Sequence, residues 1–232
     1  MTSPPSSTTR QPVTPTEVLY ATSNYATDTV SVDTQAVFQT SHLLVRPARR
    51  RDSDAIWAFA QANPEYEQMV AGGLPSREAY LADYFDHQPP PEMSFTSQHH
   101  LLVFTKTADA REHELVGLIE CVIDLMAHGV GHIGFFQVAT RLQGSGMAQQ
   151  VYTALEDWLI SQGSIALRLG VVEQNARARA FWARNGYVRV KTRTNVDFGR
   201  QKNTVHVMVK LVGPLTMDAY LAMVARDRAD TP

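Results

Sequence analysis

The chain has 232 residues, of which 44% are hydrophobic and 19% are charged, and its formal net charge is −2. This composition is ordinary for one globular domain or at most two, and it excludes collagen, a coiled coil and disorder of the whole chain. A sequence isoelectric point near 6.4 gives no global electrostatic reason to bind nucleic acid or an anionic membrane.

The first 40 residues are predicted to form a disordered tail. Met1–Thr16 consists largely of Pro, Ser and Thr, and the first acidic residue is Glu17. Such a segment cannot bury enough apolar surface to offset its ordering entropy, although Val18-Leu19-Tyr20 and Val37-Phe38 could dock onto the folded body. We expect a single domain over residues 41–232.

The first half of that domain begins with a strand at Leu43–Arg46, which ends at Pro47 because proline donates no backbone hydrogen bond. A helix capped by Asp52 or Ser53 follows and ends at Asn63-Pro64. Residues 65–95 are predicted to form short helices and loops, without sheet. Three strands come next, at Leu101–Thr105, Leu115–Leu125 and His132–Val138.

The second half alternates helices and strands, which predicts one α/β domain. Glycines close both helices, and Asn175 is a good N-cap for the second. The elements are a helix over Ser145–Gln162, a strand over Ile165–Val172, a helix from Asn175 to Asn185, strands at Tyr187–Val190 and Thr204–Leu211, and a short helix near Met217–Arg226.

The segment Phe136–Met147 is a predicted strand that runs through a glycine turn into a helix. Free amides at a helix start favour an anion, and glycines let a phosphate approach the backbone. A Walker loop is excluded because Gly-Lys-Ser/Thr is absent, and a dinucleotide fingerprint would need a small residue at Gln149. Taken alone, Gly144 and Gly146 fit a turn without ligand better.

Three segments together resemble the GCN5-related N-acetyltransferase (GNAT) superfamily over residues 43–212. They are Arg141-x-x-Gly144-x-Gly146, the stretch from Asn175 through Ala178, Phe181-Trp182 and Gly186-Tyr187, and Leu44-Val45-Arg46-Pro47 with Asp52. The resemblance implies a central, mixed, mostly antiparallel twisted sheet of six to seven strands, with helices on both faces. Two splayed central strands would hold acyl-CoA.

The resemblance also implies acetyl-CoA as co-substrate, no metal, and a set of cofactor residues. Backbone groups of Phe136 and Val138 would bond the pantetheine arm, and Asn175 and Phe181 would line its thioester end. The alternatives are that Asn175 is only an N-cap and Phe181 only core. The backbone amides from Leu142 to Met147 would hold the pyrophosphate. The loop residues of the implied cofactor site are Arg141, Leu142, Gln143, Gly144, Ser145, Gly146 and Met147.

Acyl transfer to an amine needs a base, because an alkyl amine with a pKa near 10.4 costs about 4 to 5 kcal/mol to deprotonate at pH 7. Glu120 is the first candidate, since a carboxylate in the middle of an apolar strand needs a reason. An equally open alternative is that it faces solvent or pairs with an arginine. Asp124 is the reserve, and a backbone amide near Val138 would meet the oxyanion.

The general acid departs from the family pattern. Many members place a tyrosine beside the phenylalanine, whereas this chain has Trp182, whose indole cannot protonate a thiolate. Tyr152 and Tyr187 are substitutes to consider, but no acid is assigned. The loss should be modest, because a thiol with a pKa near 8.5 is a tolerable leaving group.

Other clusters are less specific. His128 and His132 have metal-like spacing but lie across a glycine turn, so we interpret them as ordinary turn residues. A basic group could contact a nucleotide or an acidic substrate, or could form a charged edge that discourages strand pairing; its members are Arg189, Lys191, Arg193, Arg200 and Lys202. The region between residues 60 and 98 should set acceptor specificity through Asn63, Tyr66, Tyr80, Tyr84 and Phe85.

The first hypothesis is therefore direct acetyl transfer to a primary amine of a small molecule, such as an amino acid derivative, a polyamine or an aminosugar. A protein N-acetyltransferase and a non-catalytic acyl-CoA-binding module are the alternatives. Cys121 is the only cysteine, no apolar run approaches the roughly 20 residues of a membrane span, and no signal peptide is evident. We expect a cytoplasmic protein without membrane or nucleic-acid partners, and homodimerisation is left open.

Overall fold

The computed structural model describes residues 36–106 and 113–231, so the predicted tail up to residue 35 lies outside the described residues. Residues 38 and 39, which composition assigned to the tail, form a short strand on the edge of the sheet. Phe38 is 1% exposed and packs on Trp158 with the ring centroids 5.8 Å apart. The folded part therefore begins before residue 41.

The described residues form a sheet of eight strands in the order β1-β2-β3-β4-β5-β6-β8-β7. All neighbours are antiparallel except β5 and β6, which are parallel. The expected count of six to seven was too low, because the two-residue β1 is too short to show a hydrophobic pattern. The strands are β1 Phe38–Gln39, β2 Leu43–Pro47, β3 Ser97–Thr105, β4 Glu114–Ile123, β5 Val130–Val138, β6 Ala166–Val172, β7 Val188–Phe198 and β8 Gln201–Leu211.

Helices cover both faces of the sheet, as expected. One face carries the helices between β2 and β3, and the other carries the long helix that follows β5. The helices are α1 Ser53–Ala62, α2 Glu65–Ala71, α3 Arg77–Asp86, α4 Met147–Ser161, α5 Ala176–Arg184 and α6 Met217–Met223. Residues spaced three or four apart on α4, including Val151, Leu155 and Trp158, are buried against the sheet.

The two predicted helix caps have different outcomes. Asn175 caps α5, since its Oδ1 accepts from the Ala178 amide at 3.0 Å. Asp52 stands at the N-cap of α1, but its carboxylate does not cap the helix. Both Asp52 oxygens instead accept from the guanidinium of Arg46, each at 2.8 Å, because a bidentate ion pair is stronger than a single neutral cap.

A gap opens in the middle of the sheet between β5 and β6. Val130–Ile133 pairs with Ala166–Leu169, and no pairing follows beyond Ile133. On the other side of β5 the register skips Gly134, because Glu120 pairs with Phe135 while Cys121 pairs with Ile133. Such a β-bulge bends the strand. The far half of β5 therefore presents an unpaired edge to the gap, which is the splay implied by the family resemblance.

Candidate active site

One side of the gap, toward α4 and α5, holds a cleft of about 480 Å³ that we name the cofactor cleft. Gly144 and Gly146 form its rim, with φ of +85° and +89°, values at which a side chain is strained. A Cβ at either position would have no atom within 4 Å. Helix α4 begins at Met147, beside this open space, and the positive end of a helix dipole suits an anion there.

The structure brings most of the predicted cofactor residues to this cleft. Asn175 and Phe181 come from α5 and its cap, and the remainder come from β5 and the glycine turn. The bordering predicted residues are Phe136, Val138, Gln143, Gly144, Gly146, Asn175 and Phe181. These groups surround one space from two sides, as a bound thioester arm would require.

Four predicted loop residues do not border the cleft. The Arg141 guanidinium pairs with Glu114 across the surface, since that carboxylate is the nearest counter-charge. Leu142 and Met147 pack on the core, and the Ser145 hydroxyl donates to the Leu142 carbonyl at 2.7 Å. Their side chains serve the turn itself.

The backbone amides of the loop fall into two groups, those bonded within the turn and those that are not. Those of Leu142, Gln143 and Ser145 donate to carbonyls inside the turn, at 2.8, 3.0 and 3.2 Å. Within the described part of the chain, neither Gly144 nor Gly146 donates its amide to a backbone carbonyl. The predicted run of anion-binding amides is therefore narrower than residues 142–147, because a tight turn consumes its own donors.

Two cations on α5 border the cofactor cleft and were missed from the sequence. Arg177 hydrogen-bonds the Gln143 side chain, and Arg184 lies two turns further along the same helix. Their spacing of seven residues on the helix capped by Asn175 is the signal that could have found them, because residues two turns apart share a face.

Aromatic rings close the inner end of the cleft. Trp182 is 6% exposed and makes edge contacts with Phe136 and Tyr152, with centroids 5.4 and 5.3 Å apart. Phe181 stacks on Phe136 at 6.1 Å. Tyr152 donates to the Tyr187 hydroxyl at 3.3 Å, and neither tyrosine borders the cleft. The two substitute acids considered from sequence are thus core residues.

Glu120 lies at the bulge of the sheet, where its carboxylate fills the space that a side chain at Gly134 would need. A Cβ built on Gly134 would lie 3.1 Å from Glu120 Oε1. The Gln98 amide donates to the same oxygen at 2.9 Å. Burial raises the pKa of Glu120, and nearby Asp83 raises it further, against a lowering by His87 and Gln98. No arginine pairs with Glu120 among the described residues, and the carboxylate borders a cavity.

That cavity has a volume of about 600 Å³, and we name it the acceptor cavity. Tyr66, Tyr80 and Tyr84 line it, as the sequence suggested. Asn63 does not, because its Oδ1 accepts from the Thr140 amide at 2.6 Å. Phe85 lies outside as well and packs edge-on against Tyr84.

The tip of the β7–β8 hairpin forms one wall of the acceptor cavity. The Asn203 side chain donates to the Val70 carbonyl at 2.8 Å, and the Arg200 amide donates to the Ala71 carbonyl at 3.1 Å. These bonds hold the hairpin against α2. The carboxylates that border the cavity are Glu67, Asp83, Glu120 and Asp197, facing Arg200 and His87.

Tyr66 also borders the cofactor cleft, which the sequence did not predict. It borders both the acceptor cavity and the cofactor cleft, and its ring lies edge-on to Phe135 at 5.3 Å. Burial raises the pKa of its phenol, and the carboxylates of Glu67 and Glu120 add to the effect. Tyr66 therefore borders both spaces and keeps its phenol protonated at neutral pH.

The remaining polar candidates are structural. Asp124 accepts from the Gly129 amide and the Thr96 hydroxyl, both at 2.7 Å, which holds its pKa low despite burial, so it is fixed in a turn. Burial lowers the pKa of His132 to about 3, and its Nδ1 lies 3.1 Å from the Arg168 carbonyl oxygen. Across residues 36–106 and 113–231, no three His, Cys, Asp or Glu side chains are grouped to hold a metal.

Comparison with known proteins agrees with this geometry. The model of the Acetyltransferase (GNAT) family matches residues 73–187. The chain therefore belongs to the GNAT acetyltransferase family and is an N-acetyltransferase by class. A search of curated protein sequences found no match. None of the helices in the described ranges combines the length and apolar character needed to cross a bilayer.

Solved structures share the fold at low identity. An acetyltransferase from Thermus thermophilus is 20% identical, with a TM-score of 0.56, over 73% of this chain and 97% of that one. Spermidine N-acetyltransferase from Vibrio cholerae, in complex with CoA and spermine, is 19% identical, with a TM-score of 0.54, over 78% and 99%. An acetyl transferase from Salmonella typhimurium that modifies the N-terminal serine of ribosomal protein L7/L12 is 14% identical, with a TM-score of 0.56, over 75% and 96%.

Proposed function

We propose that the protein transfers the acetyl group of acetyl-CoA directly to a primary amine of a small molecule. The observation that carries this proposal is the position of Glu120, which lies between the gap in the sheet and an acceptor cavity of about 600 Å³. The hairpin tip and α2 wall that cavity through side-chain and backbone bonds. A walled pocket of this size suits a small acceptor better than an extended peptide.

The cofactor cleft fits acetyl-CoA, which supplies an activated acyl group as a thioester. The open rim at Gly144 and Gly146, with the start of α4, would hold the pyrophosphate, and Arg177 and Arg184 would add positive charge. The unpaired edge of β5 would bond the pantetheine arm through Phe136 and Val138. Aromatic rings at the inner end would exclude water from the thioester.

Glu120 is the proposed base in this reaction. Its pKa is raised by burial, which brings the carboxylate closer to the basicity that amine deprotonation at neutral pH requires. An acceptor ammonium in the acceptor cavity would meet Glu120 at the end nearest the gap. A backbone amide near Val138 would stabilise the oxyanion of the tetrahedral intermediate.

Tyr66 is the proposed donor of a proton to the departing thiolate. Its hydroxyl belongs to the one tyrosine that borders both the acceptor cavity and the cofactor cleft in the described residues. Its raised pKa keeps the phenol protonated at neutral pH. Trp182 fills the family's usual tyrosine position, so the proton would come from the opposite side of the site.

The test is amine-dependent release of CoA thiol from acetyl-CoA, measured with a panel of amino acids, polyamines and aminosugars. Turnover with a small amine supports the proposal. Turnover only with a peptide or protein N-terminus supports the protein acetyltransferase alternative. That alternative is retained because one similar structure is of an enzyme that modifies a ribosomal protein. Tight binding of acetyl-CoA without release to any amine supports a non-catalytic module. A cytoplasmic location is also proposed, in keeping with the free and buried Cys121.

A further inference from the structure

A second cavity, of about 430 Å³, lies beyond Glu120 over the floor formed by β5, β6 and β8. It shares Glu120 and Gly134 with the acceptor cavity, so the two spaces meet at the proposed base. Its other end is bordered by Arg168 and Arg193. We name this space the basic cavity.

Arg168 is already neutralised by an internal partner. Its Nε and one terminal nitrogen donate to the two oxygens of Asp227, at 2.7 and 2.9 Å. Tyr220 donates to the same carboxylate at 2.6 Å. Asp227 is fully buried and both of its oxygens accept from Arg168, so it attracts the second arginine, Arg193, by charge alone, with no hydrogen bond between those two side chains among the described residues.

Arg193 makes no ion pair at contact distance among the described residues, unlike Arg168. Its Nε is buried and has no hydrogen-bond partner among the residues that the structure describes. One terminal nitrogen reaches only the Arg226 carbonyl, at 3.4 Å. Burial lowers the pKa of Arg193, and the charges of Arg226 and Arg168 lower it further, against a raising by the charge of Asp227. An unsatisfied buried donor beside like charges is unfavourable unless an anion completes the site.

The two ends of the basic cavity carry side chains of opposite charge. Glu120 is the carboxylate that borders one end, and the two arginines border the other. Along the strand registers Val122 pairs with His132 and His132 pairs with Arg168. Two strand spacings and two residues therefore separate the Cα atoms of Glu120 and Arg168, which is about 12 Å. Arg193 itself lies on β7, two strands beyond β6, because it pairs with Val205 of β8 and Val205 pairs with Val172 of β6. The charge of Arg168 acts on Arg193, so the two guanidinium groups share this end of the cavity, whose volume of about 430 Å³ admits a molecule of a few carbon atoms.

We propose that the basic cavity binds the carboxylate of the acceptor through Arg193, so that the acceptor is an amino acid or another molecule carrying both a primary amine and a carboxylate. The amine would then lie at Glu120. This inference rests on the proposed function, because it names the substrate class of the same site. The proposal gives different roles to members of the basic group found in the sequence. Arg193 borders this cavity, whereas Arg189 on the same strand is exposed.

The experiment measures binding without turnover. The full-length protein is saturated with CoA and titrated calorimetrically with ω-amino acids that have one to five methylene groups between amine and carboxylate. Each is paired with the n-alkylamine that lacks the carboxylate. We expect at least one amino acid to bind about 10- to 100-fold more tightly than its alkylamine, the range typical of a charge-assisted hydrogen bond.

Arg193→Gln should abolish that preference, and Arg189→Gln is the matched control that should keep it. Arg193→Lys should retain part of it, and thermal melts of all variants show whether they fold. The proposal is overturned if no amino acid exceeds its alkylamine, or if Arg193→Gln keeps the preference. It is also overturned if Arg193→Gln changes only the choice between acetyl-CoA and succinyl-CoA, because the carboxylate would then belong to the donor. A carboxylate preference without thiol release would refute the proposed turnover while supporting this site.

Discussion

The open space above the glycine turn allows a sharp test of the cofactor cleft. Gly146 and Gly163 flank the two ends of α4, with φ of +89° and +93°, and a Cβ at either would have no atom within 4 Å. They are therefore matched in backbone strain and in local crowding. Only Gly146 faces the cofactor cleft. Gly146→Trp and Gly163→Trp should consequently differ in ligand binding but resemble each other in stability.

The magnitudes follow from these two features. A non-glycine residue in the left-handed region costs about 1 to 2 kcal/mol, so both variants should melt about 2 to 8 °C lower than wild type. The indole at position 146 would cover the amides of Gly144 and Gly146. Losing two charge-assisted bonds to a pyrophosphate costs about 3 to 6 kcal/mol, which weakens binding about 10²- to 10⁴-fold.

Isothermal titration with acetyl-CoA, alongside thermal melts, measures both quantities. The reasoning is refuted if a folded Gly146→Trp protein binds acetyl-CoA as tightly as wild type. Equal loss of affinity in Gly163→Trp would refute it as well, because the effect would then come from general destabilisation. NADH is a useful control ligand, since a dinucleotide site would respond to the same substitution.

Three other predictions concern the buried polar groups. Glu120→Gln should lower kcat about 10²- to 10⁴-fold and remove the acidic limb of the pH–rate profile. Burial raises the pKa of Glu120, so the ionised carboxylate destabilises the folded wild-type protein at high pH. The difference in melting temperature, variant minus wild type, should therefore be larger at pH 8 than at pH 4. Tyr66→Phe should lower kcat with little change in the KM for acetyl-CoA, whereas Tyr152→Phe should leave kcat intact, and equal effects would remove Tyr66 from proton transfer. Asp227→Asn should cost about 3 to 5 kcal/mol in urea unfolding at pH 7, because it leaves Arg168 buried and unpaired; the pKa of Asp227 is held low by Arg168 despite burial, so the gap from wild type should narrow as the pH falls through the acidic range.

Local patterns were enough to predict most of the fold. Apolar periodicity and caps such as Asn175 located the central strands and the helices α4 and α5, because each signal acts within a few residues. The β7–β8 hairpin was underestimated, since its outer half is rich in polar Lys, Thr, Arg and Asn residues that show no apolar alternation. Phe38 was noted as a docking residue but not as a strand, because pairing with β2 is a tertiary contact.

The site was harder to predict, because it depends on contacts between distant segments. The glycine turn was recognisable, yet the position of Arg141 was decided by Glu114, 27 residues away. Tyr66 lies in a short helix whose position relative to the gap depends on bonds with the β7–β8 hairpin. Glu120 was identified because a buried carboxylate is costly, whereas the room that Gly134 leaves for it required the register of the sheet.

The parallel pairing of β5 and β6 spans only four residues on each strand, and it joins five strands on one side to three on the other. The sheet thus consists of two halves joined by this short parallel pairing, where Arg168 of β6 is bonded to Asp227 and lies 3.4 Å from the His132 ring of β5. A pantetheine arm bonded to the unpaired edge of β5 would take the place of a further strand between the two halves of the sheet. Binding of acetyl-CoA should therefore slow amide hydrogen exchange in residues 134–138. The distance between the two halves of the sheet would then depend on both the bound ligand and the β5–β6 pairing.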